Sequence, residues 1–182
     1  IEVSINITYF LQSTVSLAII PGPASSANSS ISISSGTVVS GNAVTVTATV
    51  RDAYNNPISS GQTIAFTKSG GTSSGNYSAI TNQGSGVYSI SYTGITAGTA
   101  QTLGMTADGT ALTPTTSIQV LPGAPVSANS TLAISSATVS SGNAVTVTAT
   151  LKDINNNPVP SGIMVVFNKS GGTSTGTFSS VV

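Results

Sequence analysis

The chain lacks cysteine, histidine and tryptophan, and only four basic and four acidic residues occur among its 182 residues. Without cysteine there is no disulfide framework, and without tryptophan there is no antibody-type core of an indole packed against a disulfide. Histidine and cysteine are also the commonest general base and the thiol nucleophile of enzymes. These absences predict a protein that is not an enzyme.

The few charges balance to a net charge of zero, which gives no basis for electrostatic binding of nucleic acid or anionic membranes. The most apolar stretch, residues 9–20, is interrupted by polar residues and falls short of the roughly 20 apolar residues that a membrane helix needs. We therefore expect no nucleic-acid partner and no membrane insertion by this segment. Serine and threonine, 59 residues in all, hydrate the surface instead of charges.

From Pro21 onward the chain repeats itself after 101 residues, and residues 21–81 and 122–182 are identical at 36 of 61 positions. The longest identical run is Ser40-Gly-Asn-Ala-Val-Thr-Val-Thr-Ala-Thr49, which recurs from Ser141 to Thr150. A fixed period of this length indicates a domain reused in tandem, because one turn of a solenoid is much shorter. Such an array favours reach, valency or scaffolding over a single reaction.

The same register predicts one complete domain, residues 21–121, followed by an incomplete one, residues 122–182. Residues 16–22 align with residues 117–123, so residues 1–20 correspond to the closing strands of a preceding domain or of a neighbouring subunit's domain. Two interpretations are open. Either the chain is a window from a longer protein, or its N-terminal strands complete the unfinished sandwich of the next molecule.

Strand patterns fill the repeat and no helical periodicity occurs in it. Ala43–Val50 alternates apolar and polar residues, which is typical of a half-buried strand, and turn-forming clusters separate it from similar segments. This pattern predicts an all-β fold of tandem immunoglobulin-like antiparallel β-sandwiches with about seven strands each. The predicted strands are Ser30–Ser34, Ala43–Val50, Gln62–Lys68, Asn76–Thr81, Val87–Thr93, Ala100–Ala107 and Leu112–Leu121.

Side-chain alternation also predicts the core, in which Phe66 and its repeat Phe167 take the central place of the missing tryptophan. The link Leu121–Val126 contains two prolines, so we expect a semi-rigid, rod-like array. The predicted core consists of Ile31, Ile33, Val44, Val46, Ala48, Ile64, Phe66, Tyr88, Ile90, Leu103, Met105, Ile118 and Val120.

Six motifs of the repeat are distinctive: Ser40–Asp52, Asn56-Pro57, Gly61–Phe66, Ser69–Thr72, Gly86-Val-Tyr88 and Thr96–Thr99. Together they resemble the bacterial Ig-like domains of group 1, which are the tandem domains of invasin- and intimin-type surface proteins. The resemblance implies an Ig-like fold, an extracellular or cell-surface location and, for most copies, a role as a spacer. Ligand binding in intimin-type proteins belongs to a C-terminal lectin-like module, which nothing in this sequence resembles.

The turn Asp52–Pro57, which recurs as Asp153–Pro158, is oxygen-rich and could be compared with a calcium loop. Calcium takes about six to eight oxygens, usually from several carboxylates, whereas each of these loops has one carboxylate. Aspartate and asparagine also form turns by bonding to their own backbone. We interpret the motif as a turn and predict no metal and no cofactor.

Lys68 and its repeat Lys169 have two interpretations, a solvated surface cation or an isopeptide link to asparagine or aspartate. The position of Lys68 beside a Ser-Gly-Gly turn favours the surface cation. Asn-X-Ser/Thr sequons are about as frequent as chance predicts in so hydroxyl-rich a chain, and they are glycosylation candidates only in an organism that N-glycosylates secreted proteins. The sequons lie at Asn6, Asn28, Asn76, Asn129 and Asn168.

Three functions are compatible with these features. The first is a structural segment of a secreted or cell-surface fibre or stalk, whose partners are further repeats or copies of itself joined head to tail by strand complementation. The second is an adhesin that binds a surface ligand through loop tips, with Tyr54 as the candidate exposed aromatic residue. The third is a spacer beside a catalytic domain outside this chain. The repetition without any chemical cluster favours the first.

Overall fold

The computed structural model describes residues 17–160 and 162–181 of the protein. These residues form strands, turns and loops, and none of them lies in a helix, so the described part holds no helix able to cross a membrane. The strands are β1 (Ser30–Ile33), β2 (Thr37–Val39), β3 (Ala43–Thr49), β4 (Ile64–Ser69), β5 (Ser74–Tyr77), β6 (Thr81–Gly84), β7 (Val87–Thr96), β8 (Gln101–Ala107), β9 (Thr110–Leu121), β10 (Thr131–Ile134) and β11 (Val147–Thr150).

Repeat 1, residues 21–121, contains β1 to β9 in two facing sheets. One sheet has the order β1-β3-β7-β5, with β6 also paired to β7, and the other has the order β2-β9-β8-β4. The all-β sandwich is as predicted, but the strand list was incomplete. Residues 76–81, predicted as one strand, contain the end of β5 and the beginning of β6. Both strands pair with β7, and each pairing contains a shift in register.

Strand β2 was not predicted, and it is the exception to the antiparallel arrangement of repeat 1. Its three residues pair parallel with β9, with Val38 opposite Val120. A three-residue segment is too short to show alternation in the sequence. Val38 is nevertheless buried, so this short strand closes one edge of the core.

The core of repeat 1 consists of two adjoining clusters between the sheets. Its largest fully buried side chain is Tyr92 of β7, whereas Phe66, predicted at the centre, is only partly buried. Phe66 lies on the edge strand β4, so its ring covers the margin of both clusters. The buried members are Val38, Val46, Ala48, Val50, Ile58, Ile64, Tyr88, Ile90, Tyr92, Leu103, Met105, Ala107, Leu112, Ile118 and Val120.

Most of the predicted core positions are confirmed as buried. Ile31, Ile33, Val44 and Phe66 are the predicted positions that are only partly buried. Ile31 and Ile33 lie on β1, which is an edge strand, and Val44 stands at the beginning of β3. Side chains at the margin of a sandwich keep contact with solvent even when they alternate between apolar and polar in the same way as those at its centre.

Repeat 2, residues 122–182, begins in the same way as repeat 1. Strands β10 and β11 pair as β1 and β3 do, with Thr131 opposite Thr150 where repeat 1 has Ser30 opposite Thr49. The apolar residues of β10 are exposed, with Leu132 at 69%, and those of β11 are only partly buried. Closing strands were predicted in residues 1–20, and residues 1–16 of this range lie outside the described residues.

Candidate functional site: the junction between the repeats

The Asp52 turn is organised by its carboxylate. One oxygen, Oδ1, accepts the backbone N–H groups of Tyr54 and Asn56, both at 2.9 Å. The other, Oδ2, accepts the N–H of Gly22 and the side-chain amide of Asn56, also at 2.9 Å. Asn55 closes the turn with φ at 66°, a conformation that asparagine tolerates well. The carboxylate is thus committed to four donors of its own turn and linker, as the turn interpretation expects.

The Asp153 turn repeats this network with the same donors. Oδ1 accepts the N–H groups of Asn155 and Asn157 at 2.9 Å, and Oδ2 accepts the N–H of Gly123 at 2.9 Å. The side-chain amide of Asn157 donates to Oδ2 at 2.8 Å. Two turns 101 residues apart therefore share one local structure.

Both carboxylates are held in the ionised form. Donation from the Asn56 side chain, with the N–H groups of Gly22, Asn56 and Tyr54, outweighs burial and lowers the pKa of Asp52 to about 2. Burial raises the pKa of Asp153, but the hydrogen bonds from Gly123, Asn157 and Asn155 outweigh it and bring this pKa also to about 2. Hydrogen bonds to a charged carboxylate favour the charged form.

Asn157 extends this network across the boundary between the repeats. Besides the bond to Asp153, its Nδ2 donates to the carbonyl of Ile95 at 2.7 Å, and Ser40 Oγ lies 2.9 Å from the same nitrogen. Its Oδ1 accepts the N–H of Ala97 at 2.8 Å. One side-chain amide thus pairs with a C=O and an N–H of repeat 1, much as a neighbouring strand does.

Ser40 is the second centre of the junction. Its Oγ donates to the carbonyl of Ile95 at 2.9 Å and accepts the side-chain amide of Asn155 at 2.8 Å. Its backbone N–H donates to the carbonyl of Leu121 at 2.8 Å. The link between the repeats is therefore tied to repeat 1 through Leu121 and to repeat 2 through Gly123.

Burial separates the junction residues from their counterparts. Asn157 is only 4% exposed, whereas Asn56 at the equivalent position of repeat 1 is exposed. Ser40 is buried, whereas Ser141 at the equivalent position of repeat 2 is exposed. Asn157 differs from Asn56 because it contacts Ile95 and Ala97 of repeat 1. Ser40 is covered by Ile95 and Leu121 of its own repeat as well as by Asn155 and Asn157 of repeat 2.

The junction was missed by sequence reasoning, which treated the recurring Asp-Asn turn as a local feature only. The sequence did contain one indication of the network, because Asp52 follows Gly22 by 30 residues and Asp153 follows Gly123 by the same distance. Nothing in a single sequence, however, shows that Asn157 faces Ile95 and Ala97, which lie about 60 positions earlier in the chain. That contact depends on how the link folds back.

Lys68 is exposed, in agreement with its interpretation as a surface cation. Its Nζ donates to the carbonyl of Gly75 at 2.5 Å and lies 4.9 Å from the centre of the Tyr77 ring. Lys169 donates to the carbonyl of Gly176 in the same way. The recurring lysine therefore holds the two sides of the Ser-Gly-Gly turn together.

The sequon asparagines occupy different environments. The Nδ2 of Asn28 donates to the carbonyls of Asp52 and Ala53, and that of Asn129 donates to the corresponding carbonyls of Asp153 and Ile154. These two amides support the turns in the folded protein. Asn76 and Asn168 are exposed, and Asn6 lies outside the described residues. Glycosylation at all five remains a prediction.

This structure is similar to those of several bacterial adhesins. The family model described as invasin, domain 3, matches residues 25–123. The structure of the Escherichia coli adhesin FdeC is similar, with a TM-score of 0.57 and 30% identity over 76% of this chain and 44% of FdeC. The Yersinia pseudotuberculosis adhesin InvE gives a TM-score of 0.55 and 31% identity over 72% of this chain and 36% of InvE.

Invasin, described as a bacterial integrin-binding protein, shares the fold with a TM-score of 0.58 and 22% identity over 77% of this chain and 29% of invasin. The chain spans less than half the length of these three solved proteins. No match was found among curated proteins. The likeness confirms the predicted Ig-like, all-β fold.

Proposed function

The chain belongs to the family described as invasin, domain 3, and we propose that it serves as a stalk segment of a cell-surface adhesin. Membership confirms the resemblance noted in the sequence and supports an adhesin or stalk role. In the proposed role, tandem sandwiches act mechanically and set the distance between the cell surface and a more distal part. The extracellular or cell-surface location of this chain is part of the same proposal.

The junction is the observation that carries the proposal. Domains joined by a flexible link move independently unless the interface between them is substantial. Here Asn157 bonds directly to the main chain of Ile95 and Ala97, while the link is tied at Leu121 and Gly123. Bending at the junction must break several of these bonds together, and this resistance to bending is what a stiff stalk requires.

Small-angle X-ray scattering of the whole chain tests this stiffness. Replacing Asn155 and Asn157 together by alanine removes the side-chain contacts to Ser40, Ile95 and Ala97. We expect the distribution of interatomic distances to broaden and the maximum dimension to vary more. The matched variant Tyr54→Ala/Asn56→Ala changes the equivalent turn of repeat 1 and should leave the scattering unchanged. Identical profiles for all three chains would contradict the proposal.

A second candidate, adhesin activity of this segment itself, is favoured by Tyr54, whose side chain is 87% exposed. FdeC and InvE are described as adhesins, and an exposed aromatic residue is a common anchor in binding surfaces. Binding of the purified chain to cultured mammalian cells separates the two functions. The stalk proposal predicts no saturable binding, whereas saturable binding that Tyr54→Ala abolishes supports the adhesin.

A finer form of the proposal is head-to-tail assembly by strand complementation. The apolar residues Leu132, Phe167 and Phe178 line an open groove in repeat 2, where repeat 1 has a filled core. An open sheet of this kind accepts added strands, and residues 1–20 align with the closing part of the repeat. Electron microscopy of a chain without residues 1–20 tests the idea, because polymers that persist unchanged exclude strand donation by that segment.

A further inference from the structure

The exposed turn Asp52–Pro57 of repeat 1 has the same geometry as the docked turn of repeat 2. Asn55 and Asn156 adopt φ values of 66° and 64°. The amide of Asn56 donates to Asp52 Oδ2 at 2.9 Å, and the amide of Asn157 donates to Asp153 Oδ2 at 2.8 Å. The hydrogen bonds of its turn therefore hold the Asn56 amide in the same orientation, relative to the turn, as the Asn157 amide that binds repeat 1.

The groups that Asn157 recognises are largely independent of sequence. They are the carbonyl of Ile95, the N–H of Ala97 and the hydroxyl of Ser40. Two of the three belong to the main chain, so any copy of this repeat that ends β7 in the same way presents them. A repeat placed before residue 21 would offer Asn56 the same partners.

Tyr54 adds an apolar contact at the same place. Its counterpart Asn155 donates to Ser40. A Cβ atom added to Gly41 would lie 3.8 Å from Cγ2 of Ile154 and 4.0 Å from Nδ2 of Asn155, so Gly41 faces the turn of repeat 2. Glycine at this position leaves a flat backbone surface on which an aromatic ring can rest. Tyr54 and Asn56 are both exposed, and the N–H groups of both donate to Asp52 Oδ1 in the same turn.

We infer that Tyr54 and Asn56 form a docking surface for a second copy of this repeat placed on its N-terminal side. The copy contributes its residues equivalent to Ser40, Gly41 and Ile95–Ala97. This inference rests on the proposed stalk function and extends it, because it assigns the exposed aromatic residue to the next junction of the array. Tyr54 is then covered in the assembled stalk and is not available to a surface ligand.

A chain with one more junction tests the inference. In this chain an extra copy of residues 21–121 replaces residues 1–20, so that the Leu121 of the copy joins Pro21 just as Leu121 joins Pro122 in the native chain. The copy carries Tyr54→Phe, so the nitrated peptide reports only the Tyr54 of the original repeat. Two readouts are followed residue by residue. One is amide hydrogen exchange at both Ala97 residues by NMR, and the other is nitration of Tyr54 by tetranitromethane, quantified by peptide mass spectrometry.

We expect the Ala97 amide of the extra copy to be protected to the same degree as the native one, and Tyr54 to be nitrated several-fold more slowly than in the native chain. Asn56→Ala in the original repeat should accelerate exchange only at the Ala97 of the extra copy, by about tenfold. Asn157→Ala should accelerate exchange only at the native Ala97. The native chain with Asn56→Ala reports any local effect on the turn.

Failure of the inference and failure of the proposed function give different results. If the extra Ala97 exchanges freely while the native Ala97 stays protected, the docking surface is wrong and the stalk junction stands. If both amides exchange freely, the junction itself is wrong. If Tyr54 is nitrated equally fast in both chains, its surface remains open to a different partner and the inference is overturned.

Discussion

At the residue scale, two aromatic side chains of repeat 1 differ in a way that their sequence context does not show. Tyr92 is fully buried on β7, packs edge-on against Tyr77 with ring centres 5.7 Å apart, and donates its hydroxyl to Gln101. Phe66 also packs edge-on against Tyr77, at 6.2 Å, but its strand is an edge strand and part of its ring stays in contact with water. The stability of the core should therefore depend more on Tyr92.

We predict that Tyr92→Ala lowers the free energy of unfolding by about 3–5 kcal/mol, because it removes a large buried side chain and leaves a cavity. Phe66→Ala should cost less, since part of that ring is already solvated. Tyr54→Ala, at an exposed position, should change the free energy of unfolding by less than about 0.5 kcal/mol. Urea unfolding of the three variants measures the order of their stability losses. A larger loss for Phe66→Ala than for Tyr92→Ala would support the expectation from the sequence that Phe66 is the central aromatic residue of the core.

The turn aspartates predict how stability depends on pH. The pKa of Asp52 and Asp153 is lowered from 3.8 to about 2 on folding, so each carboxylate binds protons less readily in the folded state than in the unfolded state. The stabilisation is complete above about pH 4 and is lost as the pH falls toward about 2. Urea unfolding between pH 7 and pH 2 should show this decline.

Replacing both turn aspartates by asparagine should lower stability at pH 7 and flatten the decline below pH 4. Asp108→Asn serves as the control, because Asp108 is exposed and lies outside both turns. This variant should keep the acid decline. An unchanged decline in the double variant would show that other groups, and not Asp52 and Asp153, set the acid limit.

At the scale of elements, the close approach of β5 to β7 depends on one glycine. A Cβ atom added to Gly75 would lie 2.5 Å from Cζ of Tyr92 and would also collide with the carbonyl of Thr93. We predict that Gly75→Ala costs about 1–3 kcal/mol through overpacking. Thermal unfolding measures the loss.

The repeat provides a matched control for this substitution. Gly176 stands at the equivalent position of repeat 2, and an added Cβ there meets no atom within 4 Å. Gly176→Ala should therefore leave the unfolding temperature nearly unchanged. An unfolding temperature that Gly75→Ala also leaves unchanged would mean that β5 can move away from Tyr92 without cost.

Much of the element layout could be predicted because β3 and β7 alternate apolar and polar residues over their length. The alternation located Val46, Ala48 and Ile90 in the core correctly. It could not find β2, whose three residues are set by parallel pairing with the distant β9. It also could not find the contacts of Asn157, because they join positions that only the folded link brings together.

At the scale of the whole molecule, the two repeats should differ in their ability to fold alone. Residues 21–121 have a filled core between two sheets, whereas in repeat 2 Leu132 and Met164 are 69% and 88% exposed. We predict a cooperative thermal transition for isolated residues 21–121 and none for isolated residues 122–182, because unpaired strands with a solvated apolar face are unstable. A cooperative transition of monomeric 122–182 would contradict this prediction.

The central claim is that a fixed junction, held by Asn157, turns consecutive repeats into a stalk. The exchange rate of the Ala97 amide in the native chain tests it most directly, because this N–H donates to Asn157 Oδ1 across the junction. We expect a protected amide whose exchange becomes about tenfold faster in Asn157→Ala and stays the same in Asn56→Ala. An Ala97 amide that exchanges at the same rate in the native chain and in Asn157→Ala would contradict it.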